Sequence, residues 1–325
     1  MSNALPLVTV LVPSRPGPTE LPSVVAARKL NYPPERLEII IAWGHPVPAK
    51  KRNQAVRAAT GELVYFLDDD SLPDPDNLRR GVPHFKSSEI QVVGGPNLCP
   101  ENAPFREQVF AAVMGNVLAF GPSCARYRAV GQLRDTSEKE LILCNMIVRR
   151  QAFLDAGGFD EALYPNEENA LLEKFKTQGG RLLYDPSLTV HRRPRRTLRA
   201  FLIMLMTYGR GRAEQFRLHP GPGSAANFIP PLFCLYVLLF AFVPARLWWP
   251  MPFYAGLLVL SGCWSAFKHP AMPAVRRVVM ATLIPPLIGL THLMYGIGFW
   301  RGLFTRVKKE STGAEGEIRL ETVKV

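Results

Sequence analysis

The apolar run Leu63-Val64-Tyr65-Phe66-Leu67 ends directly in three consecutive carboxylates, Asp68-Asp69-Asp70. A short run of this composition reads as a buried strand, and acids delivered at its C-terminal edge lie where open α/β sheets bind ligands. Three adjacent carboxylates beside a buried strand call for a shared cation. A hard divalent ion held by one or two of them completes its shell with substrate phosphates, which points to nucleotide chemistry. Ser71, Pro73, Asp74 and Pro75 follow at once, so an ordinary acidic turn is the alternative on the triplet alone.

The flanking sequence alternates strand and helix patterns. Leu7 to Val12 is a β-branched run stopped by Pro13 and the loop Ser14-Arg15-Pro16-Gly17. A helix is expected over Leu21 to Leu30, a second strand over Leu37 to Ile41, a basic helix over Ala49 to Thr60, and the third strand over Leu63 to Leu67. Further along, Pro75 to Phe85 and Phe105 to Phe120 have helical spacing, whereas Gln91 to Gly95, Leu141 to Val148 and Arg181 to Tyr184 read as strands. This order predicts an α/β domain around a largely parallel sheet. A second acidic focus, Asn166-Glu167-Glu168-Asn169, opens a helix that stops at Gly179-Gly180. Acids in a first helical turn suit the macrodipole, so plain helix chemistry accounts for them locally. Paired with the first focus, they supply what transfer onto a hydroxyl requires: a cation for the leaving phosphate and a carboxylate to take the proton.

The hydrophobic content, 47% of 325 residues, is concentrated near the C-terminus. Three segments, 228–245, 251–267 and 278–300, approach the ~20 apolar residues needed to cross a bilayer. Trp248, Trp249 and Trp300 lie at their ends, where aromatic belts form. Buried soluble helices are the competing reading, weakened by Pro230, Pro231, Pro244, Pro285 and Pro286. Met1 to Leu11 lacks the pattern of a signal peptide, so the expected placement is a multi-pass plasma-membrane protein of bacterial type with its catalytic domain in the cytosol. The expected division is 1–217 as that domain, with 192–217 a basic interfacial region, 218–305 as membrane region, and 306–325 as a polar, mobile tail.

Net charge is +12, and eight arginines fall between Arg192 and Arg217. The positive-inside rule accounts for them on the flank of a first span; some could also hold a diphosphate through the guanidinium fork. Nucleic acid is not an expected partner, because the cluster abuts apolar segments and not an aromatic-laced groove. Cys99, Cys124, Cys144, Cys234 and Cys263 lack metal-ligand spacing and are expected to serve packing.

Five features occur in order: the strand ending at Pro13; Lys51-Arg52-Asn53-Gln54-Ala55 with Ala59-Thr60-Gly61-Glu62; Phe66-Leu67-Asp68-Asp69-Asp70; Gly157-Gly158-Phe159-Asp160; and Glu167-Glu168. Together they resemble the family 2 inverting glycosyltransferases of the GT-A fold, over about residues 6 to 217. Asn166 to Asn169, Tyr208-Gly209-Arg210-Gly211-Arg212 and His292 to Gly298 are similar to membrane-bound enzymes of succinoglycan-type exopolysaccharide synthesis. The resemblance implies a GT-A domain with a Rossmann-like mixed sheet, followed by transmembrane helices.

It also implies roles. Asp68 and Asp69 lie near the nucleotide sugar, Asp70 with Asp68 ligates Mg²⁺ or Mn²⁺, and His191 approaches the metal. Glu168 is the base with Glu167 beside it; Arg52, Asn53, Pro13 and Arg15 line the nucleotide. Where the family has acids after its second strand, this chain has Ala42-Trp43-Gly44-His45, which leaves the donor's nucleobase unidentified. The Gln-x-x-Arg-Trp box of processive synthases is absent, favouring single-sugar addition. The expected partners are a nucleotide-sugar donor, a polyprenyl-diphosphate-linked acceptor and the membrane. A non-catalytic scaffold and a metal-dependent nucleotidyltransferase are the alternatives. Three spans would leave Arg301, Arg306, Lys308 and Lys309 outside, against the charge rule.

Overall fold

The computed structural model describes residues 5–15, 20–220, 227–242, 244–268, 272–305 and 316–324. Pro16 to Pro18 of the first loop, and Arg306, Lys308 and Lys309, lie outside the described residues. The chain forms two compact units: Met1–Pro100, Ala125–Arg193 and Lys308–Val325 make the first, Glu101–Cys124 and Pro194–Val307 the second.

The first unit is built on an eight-stranded sheet in the order β11-β2-β1-β3-β8-β5-β9-β7. Its strands are β1 (Val8–Pro13), β2 (Leu37–Trp43), β3 (Leu63–Phe66), β5 (Ile90–Gly94), β7 (Arg134–Asp135), β8 (Met146–Arg149), β9 (Arg181–Tyr184) and β11 (Arg319–Val323). A small sheet joins β10 (Val190–His191) to β4 (Leu72–Pro73) and β6 (Asn97–Leu98). β1 and β3 are buried along their whole length, because both faces of the sheet are covered. Val8, Val10, Ile39 and Tyr65 point into one core with Val24 and Leu78. Leu11, Ile40, Val64 and Phe66 point into the other with Val56, Phe153 and Leu172. That period-2 alternation places helices on both sides: α1 (Pro22–Ala27) and α3 (Asn77–Gly81) on one, α2 (Pro48–Ala58), α6 (Arg150–Asp155) and α7 (Glu167–Thr177) on the other. Prolines at the first turn of α1 and α2 set their starts.

The sheet is mixed, as the family resemblance implied, whereas the alternation of strand and helix patterns alone suggested a largely parallel one. β1 runs parallel to β2 and β3, and β5 to β9; β8 runs antiparallel to β3 and β5, β7 to β9, and β11 to β2. The expected mobile tail therefore contains a paired edge strand. Because β1, β2 and β3 are parallel, Pro13, Trp43 and the Asp68–Asp70 turn share one edge. β10 pairs antiparallel with β4, His191 opposite Leu72, so the chain after β10 returns beside the acidic triplet.

The second unit contains α4 (Phe105–Met114), α5 (Val117–Phe120), α8 (Leu198–Leu218), α9 (Ile229–Leu239), α10 (Pro250–Phe267) and α11 (Ala274–Phe304). The single helix expected over Phe105 to Phe120 breaks at Gly115-Asn116, with a bend of 58°. Asn116 accepts the Leu118 N–H, starting a new helix, and donates to Ser261 and Ser265 of α10. The apolar stripe of α8 is split: Phe201 and Leu205 are fully buried while Leu198 is exposed, and the Phe201 ring stacks on Phe110 at 4.5 Å. Among the described residues one helix, α11, is long and apolar enough by itself to cross a membrane. α9 has 11 residues, fewer than the segment 228–245 suggested. Composition placed a boundary at 217, but α8 and residues 101–124 belong with the apolar helices.

Candidate active site

Arg52 joins the two acidic foci. It stands on the first half of α2, which begins just beyond the ligand edge of β2, and its side chain is 7% exposed. One terminal nitrogen lies 2.8 Å from Asp68 Oδ1, the other 3.2 Å from Glu167 Oε1. Residues a hundred positions apart are thus held by the two prongs of one buried guanidinium, a geometry only arginine provides.

A second arginine closes the other side. Arg192 directly follows β10, and its guanidinium reaches Asp68 Oδ2 at 2.8 Å and Asp70 Oδ1 at 2.5 Å. Burial pushes the Asp70 carboxyl up, against the pull of Arg192. Asp69 takes a different partner: it accepts a hydrogen bond from Ser14 Oγ at 3.3 Å. Lys51, also buried, donates to the Ser14 carbonyl at 2.7 Å. Burial, with neighbouring Arg52 adding to it, lowers the Lys51 ammonium to about 8. The loop after β1 is therefore tied to the triplet and to α2, with Pro13 buried and Arg15 exposed.

Glu167 and Glu168 open α7, where the macrodipole favours acids. Asn166 before them has φ +98°, a left-handed conformation that Asn tolerates through local hydrogen bonding; its Oδ1 accepts from Asn169 Nδ2 at 2.7 Å. Glu167 is buried, and desolvation, reinforced by Glu168, drives its carboxyl strongly upward despite Arg52. Glu168 is the more open of the two, its side chain 12% exposed, with Arg126 Nη1 at 3.7 Å. Arg126 is fixed by other bonds: Nε donates to the Lys139 carbonyl at 2.8 Å, and Nη2 to the Glu138 carbonyl and Asn169 Oδ1. Among the described residues, two buried donors in this cluster, Arg52 Nε and Asn166 Nδ2, have no hydrogen-bond partner. Such groups are rare inside proteins.

Asn53, expected to line the nucleotide, bonds within the domain. Its amide donates to the Phe159 carbonyl and Glu161 and accepts the Phe159 N–H; it is consumed in holding the Gly157-Gly158-Phe159 turn. A Cβ on Gly158, whose φ is +77°, would lie 2.6 Å from Asn53 Oδ1, so that turn requires glycine. Sequence reasoning passed over Arg126, which no pattern marks. It also left Lys51 and Arg192 as anonymous members of a motif and a basic cluster.

As to a metal, Asp68 and Asp70 aim one carboxylate oxygen each at a single guanidinium, a cation standing between them. That donor set fits a hard divalent ion completed by phosphate oxygens. Among the described residues no group of three or more His, Cys, Asp or Glu side chains could hold a metal, so His191 does not join the two acids in a protein-only site.

Comparisons with known proteins bear on the fold and the family. The profile of the family described as glycosyl transferase family group 2 matches residues 63–268. A pre-mycofactocin glycosyltransferase of Mycobacterium tuberculosis is 27% identical over 184 residues, 53% of this chain and 36% of the relative. The succinoglycan biosynthesis protein ExoA of Rhizobium meliloti is 26% identical over 205 residues, 61% of this chain and 56% of the relative. The chain thus spans between about a third and just over half of these relatives. A mannosyltransferase from Pyrobaculum calidifontis, solved in complex with GDP-Man and Mn²⁺, superposes with a TM-score of 0.55 at 18% identity, over 93% of this chain and 88% of the other. An acid-bearing strand edge in a mixed α/β sheet, with a family profile covering most of the chain, leads to one assignment: this protein belongs to glycosyl transferase family group 2, with a GT-A fold.

Proposed function

We propose that this chain is a metal-dependent, inverting glycosyltransferase. It moves a single sugar from a nucleoside-diphosphate donor to a hydroxyl of a polyprenyl-diphosphate-linked acceptor, at the cytosolic face of the plasma membrane, in exopolysaccharide or cell-envelope glycan synthesis. The observation that carries this reading is the Arg52 fork, which holds the donor-side acid Asp68 and the base-side acid Glu167 in one cluster.

Glu168, the more open carboxylate of α7, accepts the proton of the acceptor hydroxyl as that oxygen attacks the anomeric carbon. Displacement from the face opposite the leaving group inverts the configuration. Arg126 holds Glu168 from behind, and buried Glu167, tied to Arg52, sets the start of α7. Asp68 and Asp70 would hold Mg²⁺ or Mn²⁺, which supplies charge neutralisation for the departing diphosphate when bound. Lys51 and Arg192 are the cations placed to meet donor phosphates, through charge-assisted bonds. The GDP-Man and Mn²⁺ of the Pyrobaculum enzyme and the succinoglycan role in the name of the Rhizobium relative support the donor class and the pathway class.

The test uses membranes containing the full chain, labelled nucleotide sugars and a polyprenyl-diphosphate saccharide acceptor. Label passes to lipid, stops with chelator and returns with Mg²⁺ or Mn²⁺. Glu168→Gln keeps donor binding and loses turnover by the 10²–10⁴-fold typical of a missing general base. Donor binding without any transfer across the donor set would indicate the scaffold reading.

A further inference from the structure

The first unit is made of three stretches of chain, interrupted by residues 101–124 and again after Arg193. Its chain departs after β10, passes through the helices of the second unit, and comes back as β11, which pairs antiparallel with β2 from Arg319↔Trp43 to Val323↔Ile39. The pairing is specific. Trp43 Nε1 donates to Glu321 Oε2 at 2.8 Å, Leu320 packs against the core, and Gly44, at φ +93°, lies so close to the Glu317 carbonyl that a Cβ there would collide with it. β2 carries β1 on one edge and β11 on the other. Strands sharing backbone hydrogen bonds across one sheet lie in one aqueous compartment.

A chain that leaves a compartment and returns to it crosses the intervening bilayer an even number of times. Three spans are incompatible with β11. α9 and the helical turn that continues it, Ile229–Phe242, extend about 21 Å at 1.5 Å per residue, still short of a hydrocarbon core of about 30 Å. α10 and α11 form an antiparallel hairpin: Tyr254 bonds His292, Leu258 approaches Gly289, and Gly262 abuts Ala281 and Pro285. Large apolar side chains on this hairpin are exposed, among them Phe253, Leu260, Trp264, Val278 and Phe304. The charges agree. The arginines from 192 to 217 precede the hairpin, while Arg301 stands in its last turn and Arg306, Lys308 and Lys309 follow it. An odd number of crossings divides them between two faces, whereas an even number gathers them on one, facing anionic headgroups as the positive-inside rule requires. They outnumber Lys268, Arg276 and Arg277 at the hairpin turn.

We propose that the apolar helices of the second unit enter a phospholipid bilayer from the face that carries the catalytic sheet and return to that same face, the lipid-embedded part being the α10–α11 hairpin. This rests on the membrane reading above but not on the chemistry assigned to the acids. The test has two arms on the full chain in native membranes. In the first, Trp43→Cys/Arg319→Cys and Ile39→Cys/Val323→Cys are oxidised; both registered pairs crosslink, and the out-of-register pair Trp43→Cys/Thr322→Cys does not. In the second, epitopes before Met1 and after Val325 are exposed to protease in intact spheroplasts. Both survive and both are cut after permeabilisation. Epitopes cut on opposite sides, registered pairs that fail to crosslink, or release of the protein by alkaline carbonate would each overturn the proposal. The transfer assay on the same membranes reads the catalytic proposal separately, so an inactive enzyme with both epitopes on one side indicts only the chemistry.

Discussion

Arg52 ties the two acidic foci together and, in the proposed function, the two sides of the site. Its two prongs hold Asp68 and Glu167, and Glu167 is only 3% exposed. Removing one partner of a buried pair strands the other charge, at about 3–5 kcal/mol. Arg52→Met is therefore expected to lower unfolding stability by that order, measured by denaturant titration in detergent, and to abolish transfer. Arg52→Lys, with one point charge for two carboxylates, falls between; unchanged stability and activity in Arg52→Met would remove the fork from the argument. Lys51 gives a pH prediction. Its ammonium is charged below about 8, so the donor KM should rise between pH 7 and pH 9 as a phosphate partner loses its charge, and Lys51→Met should flatten that rise. The stability sign is fixed as well. With the folded value below the ordinary 10.5, the unfolded chain binds the extra proton, and the cost of burying Lys51 is relieved as pH climbs from about 8 to 10.5. The acids were legible because unbroken carboxylate runs are rare beside buried strands. The arginine partners were not, because Arg192 was one of eight similar residues and Arg126 sits in a segment with no periodicity. Only the register of β10 with β4 and the start of α7 single them out.

At the scale of elements, strands and helices were readable where burial imposes one period, and misread where a local side-chain bond or a distant partner decides. β1 and β3 fall within a residue of their expected limits, and α7 stops, as expected, just before Gly179-Gly180, since β-branched runs and glycine stops act locally. α4 and α5 were one helix by spacing but two in the structure, because Asn116 takes over as a cap. Tyr208-Gly209-Arg210 and Tyr295-Gly296-Ile297-Gly298 read as family signatures; in the fold they are a packing seam. A Cβ on Gly209 would strike the Tyr295 carbonyl, and one on Gly298 the Met206 carbonyl, so α8 and α11 approach backbone to backbone, as small residues permit between apolar helices. Arg217 adds a hydrogen bond to the Gly302 carbonyl at 3.0 Å. Gly298→Leu should force the helices apart and lower the detergent-solubilised melting transition by several degrees. Gly289→Ala, whose new methyl meets only Leu258 Cδ1 at 3.9 Å, should leave it unchanged or slightly raised, by up to ~1 kcal/mol of helix propensity. Equal losses in both variants would mean that general helix perturbation, not the seam, is being measured.

For the whole molecule, the last strand matters out of proportion to its five residues. Nothing in Arg319-Leu320-Glu321-Thr322-Val323 announced a strand within a polar tail, because edge pairing depends on a partner 278 positions away, where Trp43 meets Glu321. Once paired, β11 covers the outer edge of β2, whose unpaired N–H and C=O groups would otherwise form a template for association with another chain. Deleting residues 316–325 should then leave Asp68, Asp70, Arg52 and Glu168 in place while baring that edge. Hydrogen exchange is the direct measurement. In the full chain the β2 amides that bond to β11 are protected; in the truncated chain they exchange orders of magnitude faster, whereas the β3 amides, paired with β1 and β8 on both sides, keep their protection. Kinetics should separate the two effects, with kcat per folded molecule retained and aggregation on storage increased. Equal protection of β2 in both chains would show that the tail is not paired in solution, and with it the constraint that returns the helices to the catalytic face would be lost.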